Sequence, residues 1–328
     1  MTEADPGGKV VLITGASSGI GAAVAREVAR RGHRLAITAR RADRLEEVAA
    51  EARLLGAADV AAYPADLADP EAPGLLVAEV VARFGGLDVL LNNAGFGLPD
   101  LFAAAEPGEI GRQVRVNLLA PMLLAHAALP HLLDRRGMVI NVGSAIAGLA
   151  TPSLGVYGAT KAALAYWNDA LRRELRHKGL RVCLVEPGPV DTEFFHAVAQ
   201  LRAGGDRHAF AARTGEIAAA RTRAEGRADA MGAASLRDQG DELRKAGNAL
   251  LDPPPHFLTA GVPTVARRIA RLIEHPRRRL SVARRFVWPW RALGGLFQVA
   301  PWLGDAALSA LARRGDRAGS AAPAEVRR

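Results

Sequence analysis

A phenol and an amine lie four residues apart in the stretch VYGATK, as Tyr157 and Lys161. The apolar run that they begin predicts a helix, and residues four apart share one face of a helix. A free phenol has a pKa of about 10, too high for efficient proton exchange near neutral pH. We expect the ammonium group of Lys161 to favour the phenolate and to lower the pKa of Tyr157. The pair has the residue types for acid–base catalysis, although ordinary surface pairs share this spacing.

Two more polar residues stand at fixed distances before this pair. Ser144 lies 13 residues before Tyr157, at the end of the strand-like run GMVINVGS. Asn117 lies 40 residues before Tyr157, inside a long stretch that predicts a helix. Open α/β sheets bind ligands beyond the carboxyl ends of their strands, which is where Ser144 is expected to lie.

A glycine-rich turn, TGASSGIG, separates the first predicted strand from the first predicted helix. Its glycines are spaced GxxxGxG rather than in the more common GxGxxG order. Glycines allow a tight turn and a close approach to a pyrophosphate, and the helix N-terminus offers unpaired N–H groups. We therefore predict a dinucleotide site that includes Gly15, Ser17, Ser18, Gly19, Ile20 and Gly21.

The end of the second predicted strand bears on the choice of dinucleotide. An NAD site usually has an acidic residue there for the ribose 2′-hydroxyl. This chain has Arg40 and Arg41 instead. An arginine suits a 2′-phosphate, so NADP is favoured over NAD. The alternative is that the two arginines merely begin the second helix.

Strand-like and helix-like segments alternate regularly over residues 9–190. This alternation predicts a doubly wound Rossmann fold, with a parallel sheet of seven strands and helices on both faces. We expect a cofactor-binding and catalytic core over residues 1–193 and an extended substrate-lid insertion over 194–260. Residues 261–285 would supply the last helix and strand of the same domain, and 286–328 an amphipathic extension.

The ordered set of motifs resembles the classical type of the short-chain dehydrogenase/reductase family over about residues 8–195. The motifs are TGASSGIG, Asp66, NNAG at 92–95, Asn117, Ser144, YGATK and PGPVDT at 187–192. The resemblance implies catalysis by Asn117, Ser144, Tyr157 and Lys161. Tyr157 would be the general acid/base and Ser144 would orient the substrate carbonyl. Lys161 would bind the nicotinamide ribose, and Asn117 would hold a water molecule of a proton relay.

The same resemblance implies further cofactor contacts, made by the catalytic pair and by three other segments. Asp66 and Leu67 would contact the adenine ring, and the end of NNAG would line the cofactor. The segment after the sixth strand would hold the carboxamide end. The residues are Asn93, Ala94, Gly95, Tyr157, Lys161, Pro187, Gly188, Val190 and Thr192. Helix capping or a turn is the alternative role for the Asp, Asn and Thr positions.

The C-terminal part departs from the family pattern. Residues 284–314 hold three of the four tryptophans, between arginines. Such a segment fits a membrane interface, but equally a hydrophobic arm that packs on a partner or over the substrate site. From Gly261 to the end there are 14 Arg against 4 acidic residues, although the whole chain carries only +9. A basic tail of this kind favours phosphates, anionic lipids or nucleic acid, or is simply a solvated surface.

The composition narrows the class of protein further. The one cysteine, Cys183, cannot form an internal disulfide, and the eight histidines show no metal-ligand spacing, so we predict no metal site. We expect a cytoplasmic homodimer or homotetramer, with peripheral membrane contact through 284–314 left open. The function expected is NADP(H)-dependent interconversion of a carbonyl and an alcohol on a fairly apolar small molecule. The alternatives are a catalytically silent dinucleotide-binding regulator and, less favoured, a nucleic-acid binder.

Overall fold

The computed structural model describes residues 8–98, 102, 105–151, 154–188, 190 and 260–282. Strands and helices alternate along these residues. The strands are β1 (Val10–Thr14), β2 (Arg34–Ala39), β3 (Asp59–Pro64), β4 (Val89–Asn92), β5 (Met138–Val142), β6 (Arg181–Glu186) and β7 (Arg279–Ser281). The α-helices are α1 (Gly19–Ala29), α2 (Ala42–Leu54), α3 (Ala72–Phe84), α4 (Pro107–Val114), α5 (Ala120–Asp134), α6 (Gly155–Leu175) and α7 (Val262–Glu274).

The seven strands form one sheet in the order β3-β2-β1-β4-β5-β6-β7, and every neighbouring pair is parallel. The order reverses between β1 and β4, so the loops that follow these two strands leave in opposite directions. A crevice at such a switch point is where open α/β sheets bind ligands. The predicted seven-stranded, doubly wound fold is confirmed.

Helices cover both faces of the sheet. Alternate strand residues point to opposite faces, so Val11 and Ile13 pack with α1, α2 and α7, whereas Val10 and Leu12 pack with α3, α5 and α6. Because neither face meets water, all five residues of β1 are buried. This two-sided burial explains why the strands read as continuous apolar runs rather than as alternating patterns.

The long helix predicted over 109–133 is interrupted at a functional residue. α4 continues into a π-helical turn, Arg115–Leu119, which leads into α5. Asn117 is the central residue of this turn. Pro121 has no N–H, so the carbonyl of Asn117 cannot receive an α-helical hydrogen bond from it. π-helical turns of this kind are frequent at functional sites.

The stretch Pro107–Asp134 is also the one helical segment in the described part of the chain that is long and apolar enough to cross a membrane. Length and composition alone give this result, and a core helix of a soluble protein passes the same test. In this structure, one side of α5 is buried against the sheet and α3, through Ala120, Leu124, Ala128 and Leu132. The apolar character of this side is therefore accounted for by core packing.

A chain of buried amides ties α6 to the centre of the sheet. Asn92 at the end of β4 donates to Asn141 on β5 at 2.8 Å, and Asn141 donates to Asn168 on α6 at 3.0 Å. All three side chains are buried. A buried amide costs free energy unless it is hydrogen-bonded, so this chain restricts how α6 can sit on the sheet.

Candidate active site

The turn after β1 and the loop after β4 form one hydrogen-bonded unit at the switch point. The side-chain amide of Asn93 donates to the carbonyl oxygens of Thr14, at 2.9 Å, and Gly15, at 3.3 Å. In return, Thr14 Oγ1 accepts the backbone N–H groups of Asn93 and Ala94, both at 2.9 Å. Asn93 and Ala94, predicted to line the cofactor, therefore also support the glycine-rich turn.

Close packing within this unit requires glycine at two positions. Gly15 has φ +66°, and a Cβ there would lie 2.9 Å from Ala94 Cα. A Cβ at Gly21 would lie 2.6 Å from the amide nitrogen of Asn93 and would also meet the Gly15 carbonyl. Ser18 is the N-cap of α1 and its side chain makes no capping hydrogen bond. The start of α1, at Gly19, thus offers N–H groups that fit the phosphates of a dinucleotide.

Two of the predicted phosphate-binding residues contact one another across this crevice. Arg41 Nη2 donates to Ser17 Oγ at 3.3 Å, and Arg40 and Arg41 are both exposed. Arg41 is also the N-cap of α2, as the alternative interpretation required. The two roles are compatible, because the side chain reaches back to the glycine-rich turn while the backbone begins the helix. Ile20 differs from its neighbours in packing partly against the core.

Asp66, in the loop that follows β3, is held by two donors. Its Oδ1 accepts the backbone N–H of Ala68 at 3.0 Å, and its Oδ2 lies 2.7 Å from Arg112 Nη2. Partial burial works to raise the pKa of this carboxyl, but the Ala68 hydrogen bond and the charges of Arg112 and Arg40 hold the pKa below its usual value. Asp66 is therefore a carboxylate at neutral pH. Its neighbour Leu67 is buried.

Tyr157 and Ser144 meet at the carboxyl end of β5. Ser144 caps a short 3₁₀ turn, accepting the N–H of Ile146 at 3.3 Å, and its side chain hydrogen-bonds that of Tyr157. Burial raises the pKa of Tyr157 to about 12, and the Ser144 hydrogen bond opposes this only in part. The expectation of a lowered pKa is wrong for the protein groups alone, because the cost of burying a phenolate outweighs the stabilising contacts.

The amine of Lys161 lies over the ring of Tyr157. Its Nζ is 5.9 Å from the centroid of the Tyr157 ring and donates to the Val142 carbonyl at 2.9 Å. The residue is only 4% exposed, and burial lowers its pKa to about 8. An ammonium group has three N–H donors, so the Val142 bond leaves two that can serve a ribose.

Asn117 uses its whole side chain to join three elements. Its Nδ2 donates to the Phe96 carbonyl at 2.8 Å and to Thr160 Oγ1 at 3.2 Å, and its Oδ1 accepts the Phe96 N–H at 3.0 Å. The side chain is fully buried. Both ends of this amide are engaged, so a water molecule of the predicted proton relay would have to bind the backbone carbonyl of Asn117, to which Pro121 cannot donate.

The segment after β6 lies at the same carboxyl edge of the sheet as Ser144. The Pro187 carbonyl accepts the N–H of Ala145 at 3.3 Å, which fixes this segment next to Ser144. Gly188 is half-buried, and Val190 is buried in the core rather than open to the crevice. Thr192 lies outside the described residues, as do most of the proposed insertion and the Trp-rich extension.

The structure thus brings the predicted catalytic residues and the glycine-rich turn to one edge of the sheet. A parallel sheet with a phosphate cradle at its switch point, and a Ser-Tyr-Lys set beyond the next strand, defines a dinucleotide-dependent enzyme of the Rossmann type. Sequence reasoning missed Arg112, Thr160 and the Val142 carbonyl. Pro121, four residues after Asn117, was the one available signal for the interrupted helix.

Comparison with known proteins agrees with this class. The family model described as short chain dehydrogenase matches residues 9–202, which is more than half of the chain. The chain belongs to the short-chain dehydrogenase family, a family of oxidoreductases.

Two of the similar proteins are dehydrogenases with different substrates in their names. An 11-beta-hydroxysteroid dehydrogenase-like 4A of Arabidopsis thaliana is 40% identical over 185 residues, 56% of this chain and 62% of the relative. A serine 3-dehydrogenase of Rhizobium radiobacter is 39% identical over 202 residues, 61% of this chain and 77% of the relative. The match thus spans less than two thirds of the plant relative.

Two of the similar structures contain a dinucleotide. A metagenomic short-chain oxidoreductase in complex with NADP has 34% identity and a TM-score of 0.54, over 56% of this chain and 83% of that chain. An alcohol dehydrogenase of the archaeon Thermococcus sibiricus, complexed with 5-hydroxy-NADP, has 25% identity and a TM-score of 0.61. That match covers 83% of this chain and 94% of the archaeal chain.

Gly95 should be essential for the position of Lys161 and Asn117. A Cβ there would lie 3.1 Å from Asn117 Oδ1 and 3.3 Å from Lys161 Nζ, so Gly95→Ala must displace one of them. Misplacement of catalytic groups by a fraction of an ångström to 1 Å costs up to about 10²-fold in rate. We expect kcat to fall by about tenfold or more, measured by nicotinamide absorbance with an accepted carbonyl substrate.

The matched control is Gly74→Ala on α3, where a Cβ meets nothing within 4 Å. This variant should keep the wild-type kcat and melt at the same or a slightly higher temperature. An unchanged kcat in Gly95→Ala would show that the catalytic groups do not depend on this clearance.

Proposed function

We propose that the protein is an NADP(H)-dependent oxidoreductase that interconverts a carbonyl and an alcohol on a fairly apolar small molecule. The observation that carries the proposal is the convergence of Ser144, Tyr157 and Lys161 on the edge that also holds the glycine-rich phosphate cradle. When bound, the dinucleotide supplies or accepts the hydride.

The chemistry of each candidate catalytic residue suits one role in this reaction. The Ser144 hydroxyl, already hydrogen-bonded to the phenol, would orient the substrate oxygen and stabilise negative charge as it develops there. Tyr157 would deliver a proton to that oxygen in reduction and remove it in oxidation. Lys161 would hold the ribose with its remaining N–H donors, and the Asn117 carbonyl would hold the water that returns a proton.

The raised pKa of Tyr157 favours the reductive direction. A phenol with a pKa of about 12 stays protonated near neutral pH, which is the form that donates a proton to a developing alkoxide. Oxidation would require the phenolate, and the protein groups alone do not stabilise it. A cationic nicotinamide ring would add a positive charge and shift the balance toward the phenolate.

Removal of the phenol oxygen tests the reaction. Tyr157→Phe should lower kcat by at least about 10²-fold, since positioned acid–base catalysis contributes about 10²- to 10⁴-fold. Cofactor affinity, measured by nucleotide fluorescence, should change little. The assay is a panel of apolar carbonyl compounds followed by nicotinamide absorbance.

The control for this variant is Tyr166→Phe, which removes a hydroxyl group from an exposed tyrosine on the same helix. It should turn over like the wild type. Turnover by Tyr157→Phe at the control's rate would contradict the mechanism. Cofactor binding without turnover of any compound in the panel would instead favour the silent regulatory alternative.

The preference for NADP rests on the Ser17, Arg40 and Arg41 group. The Ser17–Arg41 contact brings a hydroxyl and a guanidinium together at the end of β2, and Arg40 adds a second exposed cation. A fork-shaped guanidinium is well suited to a phosphate. Two similar structures contain NADP or a derivative of it, which supports this choice of dinucleotide.

Loss of one guanidinium should weaken the preference. We expect wild type to bind NADPH more tightly than NADH, and Arg41→Gln to weaken NADPH binding by about 10- to 100-fold, the range for charge-assisted hydrogen bonds. Affinity for NADH should be nearly unchanged. Arg173→Gln, which removes an exposed charge near the far end of α6, is the control. A wild-type preference for NADH would contradict the argument.

The relatives differ in the substrates that their names give. The names of the relatives point to a steroid in one case and to serine in the other, and these differ greatly in polarity. The choice of an apolar substrate depends on the Trp-rich stretch at 284–314, which lies outside the described residues. Peripheral membrane contact through that stretch stays a prediction, because the stretch lies outside the described residues. Cytoplasmic localisation also stays a prediction.

We also propose that the protein self-associates through α4, α6 and the π-helical turn between α4 and α5. These elements pack against one another, and they expose Val114, Leu119 and Tyr166, the last at 82%. Exposed apolar residues on neighbouring elements are typical of a protein interface. A second copy of the chain is the partner expected for a homodimer or homotetramer.

A charge within this surface should shift the oligomeric state. Tyr166→Lys should lower the molar mass measured by light scattering during gel filtration, since an interface core excludes charged residues. Leu54→Lys, at an 89%-exposed leucine on α2, should leave the mass unchanged. A monomeric wild type, or a Tyr166→Lys variant of unaltered mass, would contradict the proposed surface.

A further inference from the structure

Arg112 contacts the predicted adenine-binding residue, although it belongs to none of the family motifs. Its Nη2 lies 2.7 Å from Oδ2 of Asp66, 46 residues earlier in the chain. We propose that Arg112 is a positioning residue that orients the Asp66 carboxylate for the adenine end of the dinucleotide, so that α4 forms part of the adenosine-binding surface. This inference rests on the proposed function and on the adenine contact that the family resemblance implies for Asp66.

The first argument concerns geometry. The terminal torsion of an aspartate is broad, so one anchor does not determine which way the remaining lone pairs point. Here each oxygen has its own donor, Ala68 N–H for Oδ1 and the Arg112 guanidinium for Oδ2. The amino group of an adenine needs an acceptor in a defined place, and the two anchors together provide it. Ala68 alone would leave the carboxylate free to rotate.

The second argument concerns charge. The Asp66 carboxylate also interacts electrostatically with Arg40, which lies at the end of the neighbouring strand. A carboxylate without a second cation would offset part of the positive potential that Arg40 presents to a phosphate. Arg112, on α4, supplies this second cation. Its removal should therefore weaken the adenosine half of the site twice, through orientation and through charge.

The competing interpretation is that the pair only fastens α4 to the body of the protein. Arg112 lies five residues before Asn117 on the same continuous helical stretch. If fastening were its only role, its loss would disturb Asn117 and hence the nicotinamide half of the site. The two interpretations differ in which half of the cofactor they affect, so binding of each half separates them.

The experiment measures the binding of two cofactor halves by calorimetry, 2′,5′-ADP for the adenosine half and reduced nicotinamide mononucleotide for the other. The variants are Arg112→Gln, Asp66→Asn and the double variant. Arg271→Gln, which removes an exposed arginine on α7, is the charge-matched control. Arg112→Gln should raise the Kd for 2′,5′-ADP by about three- to tenfold, because the ion pair is partly exposed.

The mononucleotide should bind Arg112→Gln like the wild type, and Arg271→Gln should leave both affinities unchanged. In the Asp66→Asn background the effect of Arg112→Gln should fall below about twofold, because the two residues act through one contact. Three results would overturn the inference: an unchanged Kd for 2′,5′-ADP in Arg112→Gln, an equal loss for both halves, or an effect undiminished by Asp66→Asn.

These measurements do not depend on turnover. If the wild type binds both halves but reduces no carbonyl compound, the proposed function fails while the role of Arg112 stands. If Arg112→Gln leaves the affinity for 2′,5′-ADP unchanged in an active enzyme, the role of Arg112 fails while the proposed function stands.

Discussion

The buried amide of Asn117 is the contact on which the candidate site depends. It joins the loop after β4, through Phe96, to α6, through Thr160, while its own backbone lies in the π-helical turn. A buried donor or acceptor left without a partner costs about 1–3 kcal/mol, so loss of this amide would leave several groups unsatisfied at once. The helix α6, the loop after β4 and the π-helical turn are thus held together by a single side chain.

The same contact explains why the helix between α4 and α5 is not regular. The Asn117 side chain hydrogen-bonds both Phe96 and Thr160, and the residue that makes these contacts is the centre of the π-helical turn. Pro121 cannot donate, so the irregularity sacrifices no hydrogen bond from that residue.

Most of the fold could be predicted from the sequence, because apolar runs with regular spacing determine a parallel sheet and its covering helices. The candidate catalytic set was named from the family resemblance, and the structure brings Ser144, Tyr157 and Lys161 to one edge of the sheet. Contacts between distant segments could not be predicted. The pairing of Arg112 with Asp66 depends on where α4 lies relative to the loop after β3, and no local pattern carries that information. The direction of the Tyr157 pKa was mispredicted because the sequence shows the neighbouring cation but not the extent of burial.

The pKa values of Tyr157 and Lys161 are shifted in opposite directions by the same cause, burial. Burial raises the pKa of Tyr157 to about 12 and lowers that of Lys161 to about 8, so each shift disfavours the charged form. Near neutral pH the tyrosine is therefore a phenol, whereas the lysine is still largely an ammonium group because its pKa stays above 7. The lysine spends one donor on the Val142 carbonyl, at the end of the strand that precedes Ser144. This hydrogen bond therefore tethers α6 to β5, and any change that moved β5 would also move Lys161.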